Sequence, residues 1–390
     1  MRPIGSRASQ GRRRTNPLWG RGWHDVAANW ALDPDIVFLN HGSFGATPRP
    51  VLAAQDAWRK VMEREPVDFL WRLLSGRIDE ARRRAADFLD ADPSGFAFVP
   101  NVSTAISTVL ASLDLHHGDR LVATDHAYPA VVNALRATCT RTGAELVLVG
   151  IPLPPPAPAD VVGRIMNVVD ARTRLVIVDH VTSATALILP AADVVTACRD
   201  AGVPVMVDAA HAPGMLDVSV RRLRPDYWTG NFHKWVCAPK GAAALYVGPN
   251  HRDRVRPLVT SHGYGGSFRA EFDWTGTADP TPYLSIPAAL DFMGSLGWER
   301  VRRHNHTLVE RGRAALAAAL GTERQVPEGS SGSSRRFWMY SRHCSRSSSP
   351  GTHSSSRRSN RSRTSSSLSS SSRRVEPSGF SCSSSLCRCW

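Results

Sequence analysis

Lysine is scarce in this sequence of 390 residues, whereas arginine is abundant. Three lysines occur, Lys60, Lys234 and Lys240, against 45 arginines. Any reaction that depends on a lysine amine therefore has three candidate residues.

Long apolar runs and paired cysteines are also missing. No run of about 18 or more apolar residues occurs, so no membrane span is predicted. The basic residues 12–14 are followed by Thr-Asn-Pro and not by an apolar segment, so no signal peptide is predicted either. Cys139, Cys198 and Cys237 are scattered and the other four cysteines lie beyond residue 343, which argues against a disulfide framework. These features favour a cytoplasmic protein.

The formal net charge of +14 is concentrated at the two ends of the chain. Residues 330–390 hold 11 arginines and one acid, and residues 1–14 hold five arginines and no acid. The residues between them carry 32 basic and 33 acidic side chains. Because this body is nearly neutral, the charge predicts no nucleic-acid or membrane partner for it.

Short apolar runs alternate with helical patterns from about residue 95 onward. Strands are predicted at residues 96–99, 120–123, 145–149, 174–179, 203–208, 226–229 and 242–247. Helices are predicted at residues 50–63, 76–89 and 295–320. Apolar strands separated by helix-length segments indicate an α/β fold with a mostly parallel seven-stranded sheet flanked by helices. Ligands are expected at the carboxyl ends of such strands.

The chain divides into four segments by composition. We expect a disordered basic N-terminus at 1–22, a large domain at 23–290 and the start of a smaller domain at 291–328. Residues 329–390 change to serine and arginine, with 26 serines in the last 61 residues. This tail is either an interaction segment or the product of out-of-frame translation, and both interpretations predict disorder.

Lys234 lies in the segment Asn231-Phe232-His233-Lys234-Trp235, between two predicted strands. A lysine beside a cation and among apolar side chains can have the lowered pKa that imine formation requires. Alone the segment also fits a surface lysine beside a capping histidine.

Two other segments place polar groups at strand ends. The strand 203–208 ends in Asp208, which is either a ligand-binding carboxylate or a helix N-cap. Residues 100–106 join a strand to a helix and combine free backbone N–H groups with hydroxyls, an arrangement that suits a phosphate but also fits plain capping.

Taken together, the motifs resemble those of the isopenicillin N epimerase-like branch of the class V aminotransferase family. The matching motifs are FLNHGSFG from residue 38, NVST from residue 101, DAAHAPG from residue 208, HKW from residue 233 and WTGTAD from residue 274. The resemblance covers roughly residues 24–325. It implies the pyridoxal 5'-phosphate (PLP)-dependent transferase fold of type I, an amino-acid-type small-molecule substrate and a homodimer.

The resemblance also implies a set of site residues and no metal. The implied catalytic residues are Lys234, Asp208, His126 and Tyr128. The implied cofactor-binding residues are Asn101, Ser103, Thr104, His126, Ser183, Asp208, His211, Asn231, His233, Lys234 and Thr277. The implied substrate-binding residues are Asn40, His41, Gly42 and Ser43.

Within this set the resemblance implies particular roles. Lys234 forms the Schiff base with PLP and moves the α-proton, and Asp208 pairs with the pyridine nitrogen. His126 stacks on the ring, although Tyr128 competes for that role. Thr182 or Ser183 approaches the phenolic oxygen. Thr277 reaches the phosphate of the neighbouring subunit.

The remaining groups implied by the resemblance hold the phosphate or surround the cofactor. Ser103 and Thr104 bind the phosphate with His233 and Asn231 nearby. At the position of Asn231, two residues before His233, the family more usually has Ser or Thr. His211 packs beside the ring. The segment 40–45 closes over the substrate, or is an ordinary turn.

The activity expected is α-proton removal and return, as in an epimerase. The alternatives are a C–S lyase or cysteine desulfurase-like enzyme, and a catalytically impaired remnant with an interaction tail. The sequence lacks the family's later strand with a substrate-binding arginine, so the small domain is expected to be truncated or replaced, with poor turnover.

Overall fold

The computed structural model describes residues 22–321. The N-terminus predicted at 1–22 therefore lies outside the described residues except for residue 22, and so does the tail predicted at 329–390. The predicted start of the small domain is described as far as residue 321.

Seven strands form one sheet, as the sequence predicted. They are β1 Phe96–Val99, β2 Arg120–Thr124, β3 Glu145–Val149, β4 Thr173–Asp179, β5 Val205–Asp208, β6 Tyr227–Asn231 and β7 Ala243–Val247. The strand order is β1-β7-β6-β5-β4-β2-β3. The pairs among β2 to β6 are parallel, whereas β7 runs antiparallel to both of its neighbours, β1 and β6.

Fourteen α-helices belong to the described residues. They are α1 Trp23–Ala27, α2 His41–Phe44, α3 Arg49–Arg64, α4 Pro66–Asp68, α5 Leu74–Phe88, α6 Val102–Ser112, α7 Pro129–Thr142, α8 Pro158–Met166, α9 Ala191–Asp200, α10 Val220–Leu223, α11 Phe268–Asp273, α12 Thr281–Leu284, α13 Ile286–Ser295 and α14 Trp298–Leu320. The three predicted helices correspond to α3, α5 and α14. No helix in this part of the chain is both long and apolar enough to cross a membrane.

Both faces of the sheet are buried because helices cover each of them. Val176 and Val205 pack into one apolar cluster, and Leu175 and Met206 pack into a second cluster on the opposite face. Successive residues of a strand point to opposite faces, which explains why these strands are continuous apolar runs.

The parallel strands bring their carboxyl ends to one edge of the sheet. Asp179 ends β4 and Asp208 ends β5, and the two residues are paired in register. Asn231 ends β6, the next strand. Polar groups that are far apart in the sequence are thereby collected at this edge.

A buried ionic cluster joins α5 to α11. Arg82 is 1% exposed and contacts Asp79 on its own helix and Asp273 at the end of α11. Arg269 also pairs with Asp79. Removal of Arg82 would leave the partly buried Asp273 without its paired cation and Asp79 with Arg269 as its remaining partner.

We therefore expect Arg82→Ala to lower the free energy of unfolding by about 3–5 kcal/mol. Arg84→Ala is the matched control, because Arg84 lies on the same helix in an exposed pair with Asp291 and its loss should cost about 1 kcal/mol or less. Chemical denaturation of both variants measures the difference. Equal losses would show that the buried cluster does not stabilise the fold.

Candidate active site

Lys234 lies in the connection between β6 and β7, with its side chain buried. Its Nζ donates to Nε2 of His211 at 3.2 Å. The relative exposure of the two residues is 9% and 3%, respectively. His211 belongs to the segment that follows β5, so the edge of the sheet brings together two motifs that the sequence analysis treated separately.

The lysine backbone is held from two sides by close packing. A Cβ on Gly45 would lie 1.9 Å from the carbonyl oxygen of His233, and one on Gly214 would lie 2.7 Å from the carbonyl of Trp235. Both glycines also have positive φ angles, +71° and +81°. Glycine is required at these positions because any side chain would displace the lysine segment.

Asp208 is 4% exposed, and its Oδ1 accepts a hydrogen bond from the backbone N–H of Ala210 at 2.9 Å. Burial raises the pKa of this carboxyl, whereas the Ala210 N–H and the charge of Lys234 lower it. His211, which contacts the Lys234 amine, follows Asp208 by three residues in the same segment.

The N-terminus of α6 is partly occupied by hydrogen bonds of its own. Asn101 caps the helix by accepting from the Thr104 backbone N–H at 2.8 Å and from the Thr104 hydroxyl at 3.1 Å. Asn231 accepts from the Val102 N–H at 3.3 Å, which ties β6 to this helix end. Ser103 is exposed at the same end. A phosphate at this helix end would accept a hydrogen bond from the Ser103 hydroxyl and interact favourably with the helix dipole. It would compete with Asn101 for the backbone N–H and the hydroxyl of Thr104.

His126 is fixed by hydrogen bonds at both ring nitrogens. Nε2 lies 2.8 Å from the Ile151 carbonyl and must donate to it, so in the neutral ring Nδ1 accepts from the Thr185 hydroxyl at 2.9 Å. The Thr185 hydroxyl in turn lies 2.7 Å from that of Thr182. The ring plane is therefore fixed, as stacking on a flat ligand requires, while Tyr128 is 39% exposed.

A cavity of about 460 Å³ opens beside His126. Its walls include Asp125, His126, Tyr128, Ile151, Ser183 and Thr185. Asp208 and Lys234 are not part of its lining. The volume is within the usual range for small-molecule sites.

His233 precedes the lysine, and its Nδ1 donates to the Ala242 carbonyl at 3.1 Å. Burial and, to a smaller extent, the neighbouring Lys234 charge lower the pKa of His233 to about 4. The imidazole is therefore neutral at physiological pH, and its Nδ1 proton is committed to the backbone.

The segment predicted to bind substrate packs against the lysine segment. Residues 41–44 form α2, and His41 Nε2 donates to the Lys234 carbonyl at 2.9 Å. Gly42 is buried, Ser43 is partly buried and Asn40 is exposed. The structure thus brings His41 to the site through its contact with the backbone of Lys234.

Thr277 is exposed in the connection between α11 and α12. Within residues 22–321, Thr277 forms no hydrogen bond with the other predicted site residues. Its predicted contact with a neighbouring subunit remains a prediction.

Three residues at the sheet edge were not singled out from the sequence. Asp179 and His180 follow one another at the end of β4, and Thr185 holds His126. The apolar run 175–178 is followed by an aspartate just as 203–207 is, so the pattern that identified Asp208 also marks Asp179. For Thr185 the sequence offers no comparable signal, because its contact depends on how two loops fold together.

Two proteins with stated activities are similar to this chain over most of its length. The isopenicillin N epimerase of Streptomyces clavuligerus is 32% identical over 322 residues, covering 78% of this chain and 81% of that protein. An L-cysteine desulfhydrase of Arabidopsis thaliana is 31% identical over 310 residues, covering 75% of this chain and 68% of the plant protein.

A solved structure shows the same fold. A C-DES mutant with glycine covalently linked to its PLP cofactor aligns with a TM-score of 0.64 at 24% identity, covering 72% of this chain and 78% of that one. The family model described as aminotransferase class-V matches residues 63–336. This chain therefore belongs to the class V aminotransferase family.

Proposed function

We propose that this chain is a PLP-dependent enzyme of the isopenicillin N epimerase type, which removes a proton from the α-carbon of an amino-acid substrate and returns it. Membership of the class V family makes it a PLP enzyme. The observation that carries the residue assignments is the 3.2 Å contact of the buried Lys234 amine with His211, which lies three residues after the buried Asp208.

The residues present fit the cofactor. Lys234 would hold it covalently, and Asp208 would face the ring nitrogen. Ser103 and Thr104 would bind the phosphate, with Asn101, Asn231 and His233 around them, while His126 would stack on the ring and His211 and Ser183 would flank it. The fixed plane of His126 and the buried carboxylate are the two features that a flat, protonated pyridine ring requires.

When bound, PLP supplies a conjugated ring that withdraws electrons from the substrate α-carbon. Lys234 Nζ is the group placed to accept the α-proton. His211 Nε2, at 3.2 Å, accepts a hydrogen bond from this amine and orients it. Burial of the pair keeps water away from the proton in transit.

The return of a proton on the opposite face needs a second group. Both nitrogens of His126 are engaged, so it would have to break a hydrogen bond in order to exchange a proton. Tyr128 lines the cavity, and its side chain is partly exposed. We therefore assign Tyr128 to that role and His126 to ring stacking.

The second candidate function is β-elimination, as in a C–S lyase. The Arabidopsis relative is an L-cysteine desulfhydrase with nearly the same identity to this chain as the epimerase. Elimination needs one base at the α-carbon, so Lys234 alone is sufficient for it.

The proposal includes a homodimer in which Thr277 reaches the partner's phosphate. Large apolar side chains are exposed on the described surface, among them Phe44 at 74%, Trp71 at 73% and Tyr264 at 73%. These side chains are available for contact with a second copy of the chain.

Lys234→Ala should abolish the near-visible absorption of protein-bound PLP, because no other amine would bond the cofactor. Lys240→Ala should retain the absorption, since Lys240 is an exposed lysine only six residues further along. Absorbance after gel filtration with added PLP measures both. Absorption retained in Lys234→Ala would refute the assignment, and none in the unmodified chain would support the impaired-remnant alternative.

Asp208→Asn should bind PLP but turn over about ten- to a hundredfold more slowly, since it removes a charge-assisted hydrogen bond. The amide has nearly the shape of the carboxylate but cannot balance a protonated ring nitrogen. Asp217→Asn is the control, because the Asp217 side chain is 80% exposed. Unchanged turnover in Asp208→Asn would remove this residue from the mechanism.

Turnover in heavy water separates the two candidate reactions. An epimerase should return deuterium to the α-carbon with inversion, and Tyr128→Phe should slow the inversion without blocking α-proton removal. A C–S lyase given cysteine should release sulfide, ammonium and pyruvate, both as the unmodified chain and as Tyr128→Phe. Chiral chromatography with mass spectrometry and a sulfide assay distinguish these results.

A further inference from the structure

Asp179 lies at the same sheet edge as Asp208, and the proposed mechanism gives Asp179 no role. Asp179 and Asp208 are the last residues of adjacent parallel strands and are paired in register. Paired residues of neighbouring strands point to the same face and lie about 5 Å apart. Their exposures are 3% and 4%, so neither carboxyl is solvated.

Two carboxylates so close in an apolar environment cannot both be ionised. Leu175, Ile177 and Met206 lie on the same face of the same two strands, within one apolar cluster. Burial raises the pKa of Asp179 well above its usual range, and the Asp208 charge raises it further.

The surroundings decide which carboxyl holds the proton. Asp208 accepts the Ala210 N–H at 2.9 Å and is within range of the Lys234 charge. Asp179 Oδ2 is buried and has no hydrogen-bond partner within residues 22–321. The anion is therefore stabilised on Asp208 and not on Asp179.

We infer that Asp179 is a positioning residue that carries a proton and, as a neutral neighbour, keeps Asp208 ionised. The inference rests on the proposed function, in which the ionised Asp208 faces the cofactor's ring nitrogen. A negative charge on Asp179 would instead drive a proton onto Asp208 and remove that contact.

Other titratable groups at this edge do not replace Asp208 as the neighbour of Asp179. Burial lowers the pKa of His180 to about 4, so this histidine is neutral, while its backbone N–H donates to the Asp208 carbonyl at 2.8 Å. Lys234 and His211 contact each other. Asp125, which follows β2, has a half-exposed side chain that accepts the Ile151 N–H.

The first test is the pH dependence of unfolding of the full chain without cofactor. Because the folded pKa is raised, the stability that Asp179 contributes is complete below about pH 4, its unfolded pKa, and is lost as pH rises toward the folded pKa. The ratio of the wild-type unfolding constant to that of Asp179→Asn should rise about tenfold per pH unit in this window. Asp125→Asn, a solvated carboxylate at the same edge, is the matched control. A ratio independent of pH would overturn the inference.

The second test is PLP binding. Asp179→Asn stays neutral at every pH, so it should match the wild-type PLP affinity at low pH and lose less affinity than the wild type as the pH rises and Asp179 ionises. The same fall in affinity with pH in both proteins would refute the positioning role. Absence of PLP binding in every protein would instead refute the proposed function, while the unfolding test would still decide the protonation of Asp179.

Discussion

The site depends on one constraint, which is the burial of charge at the carboxyl edge of a parallel sheet. Such a sheet is covered on both faces, so a polar side chain at a strand end is desolvated unless another group compensates it. Asp208 is compensated by a backbone N–H and by the Lys234 amine. The same burial that makes these groups costly also makes their electrostatic interactions strong enough to act on a bound ring.

Much of the fold was predictable because buried parallel strands are continuous apolar runs in the sequence. Seven apolar runs predicted the seven strands, and the errors lie at their ends. The run 203–208 begins two residues before β5 does, since Pro204 has no N–H for the ladder. Asp226 was assigned to a strand, but its side chain accepts the Val205 N–H and pairs with His251, so it precedes β6.

The site was predictable only in part. Lys234 and Asp208 could be found because their motifs follow strands, and the sheet then places them together. The Thr182–Thr185–His126 hydrogen bonds could not be found, since they join two loops whose approach the sequence pattern does not encode. An epimerase and a desulfhydrase have nearly the same identity to this chain, 32% and 31%, so identity alone does not choose between the two reactions.

The tight packing around the lysine backbone has a consequence for motion. Gly45 and Gly214 approach the peptides on either side of Lys234 too closely to admit a methyl group. A displacement of the segment before α3 would therefore be transmitted to the lysine backbone without a gap to absorb it. A movement of residues 40–45 toward this segment would therefore also move Lys234, unless the chain bends before residue 40.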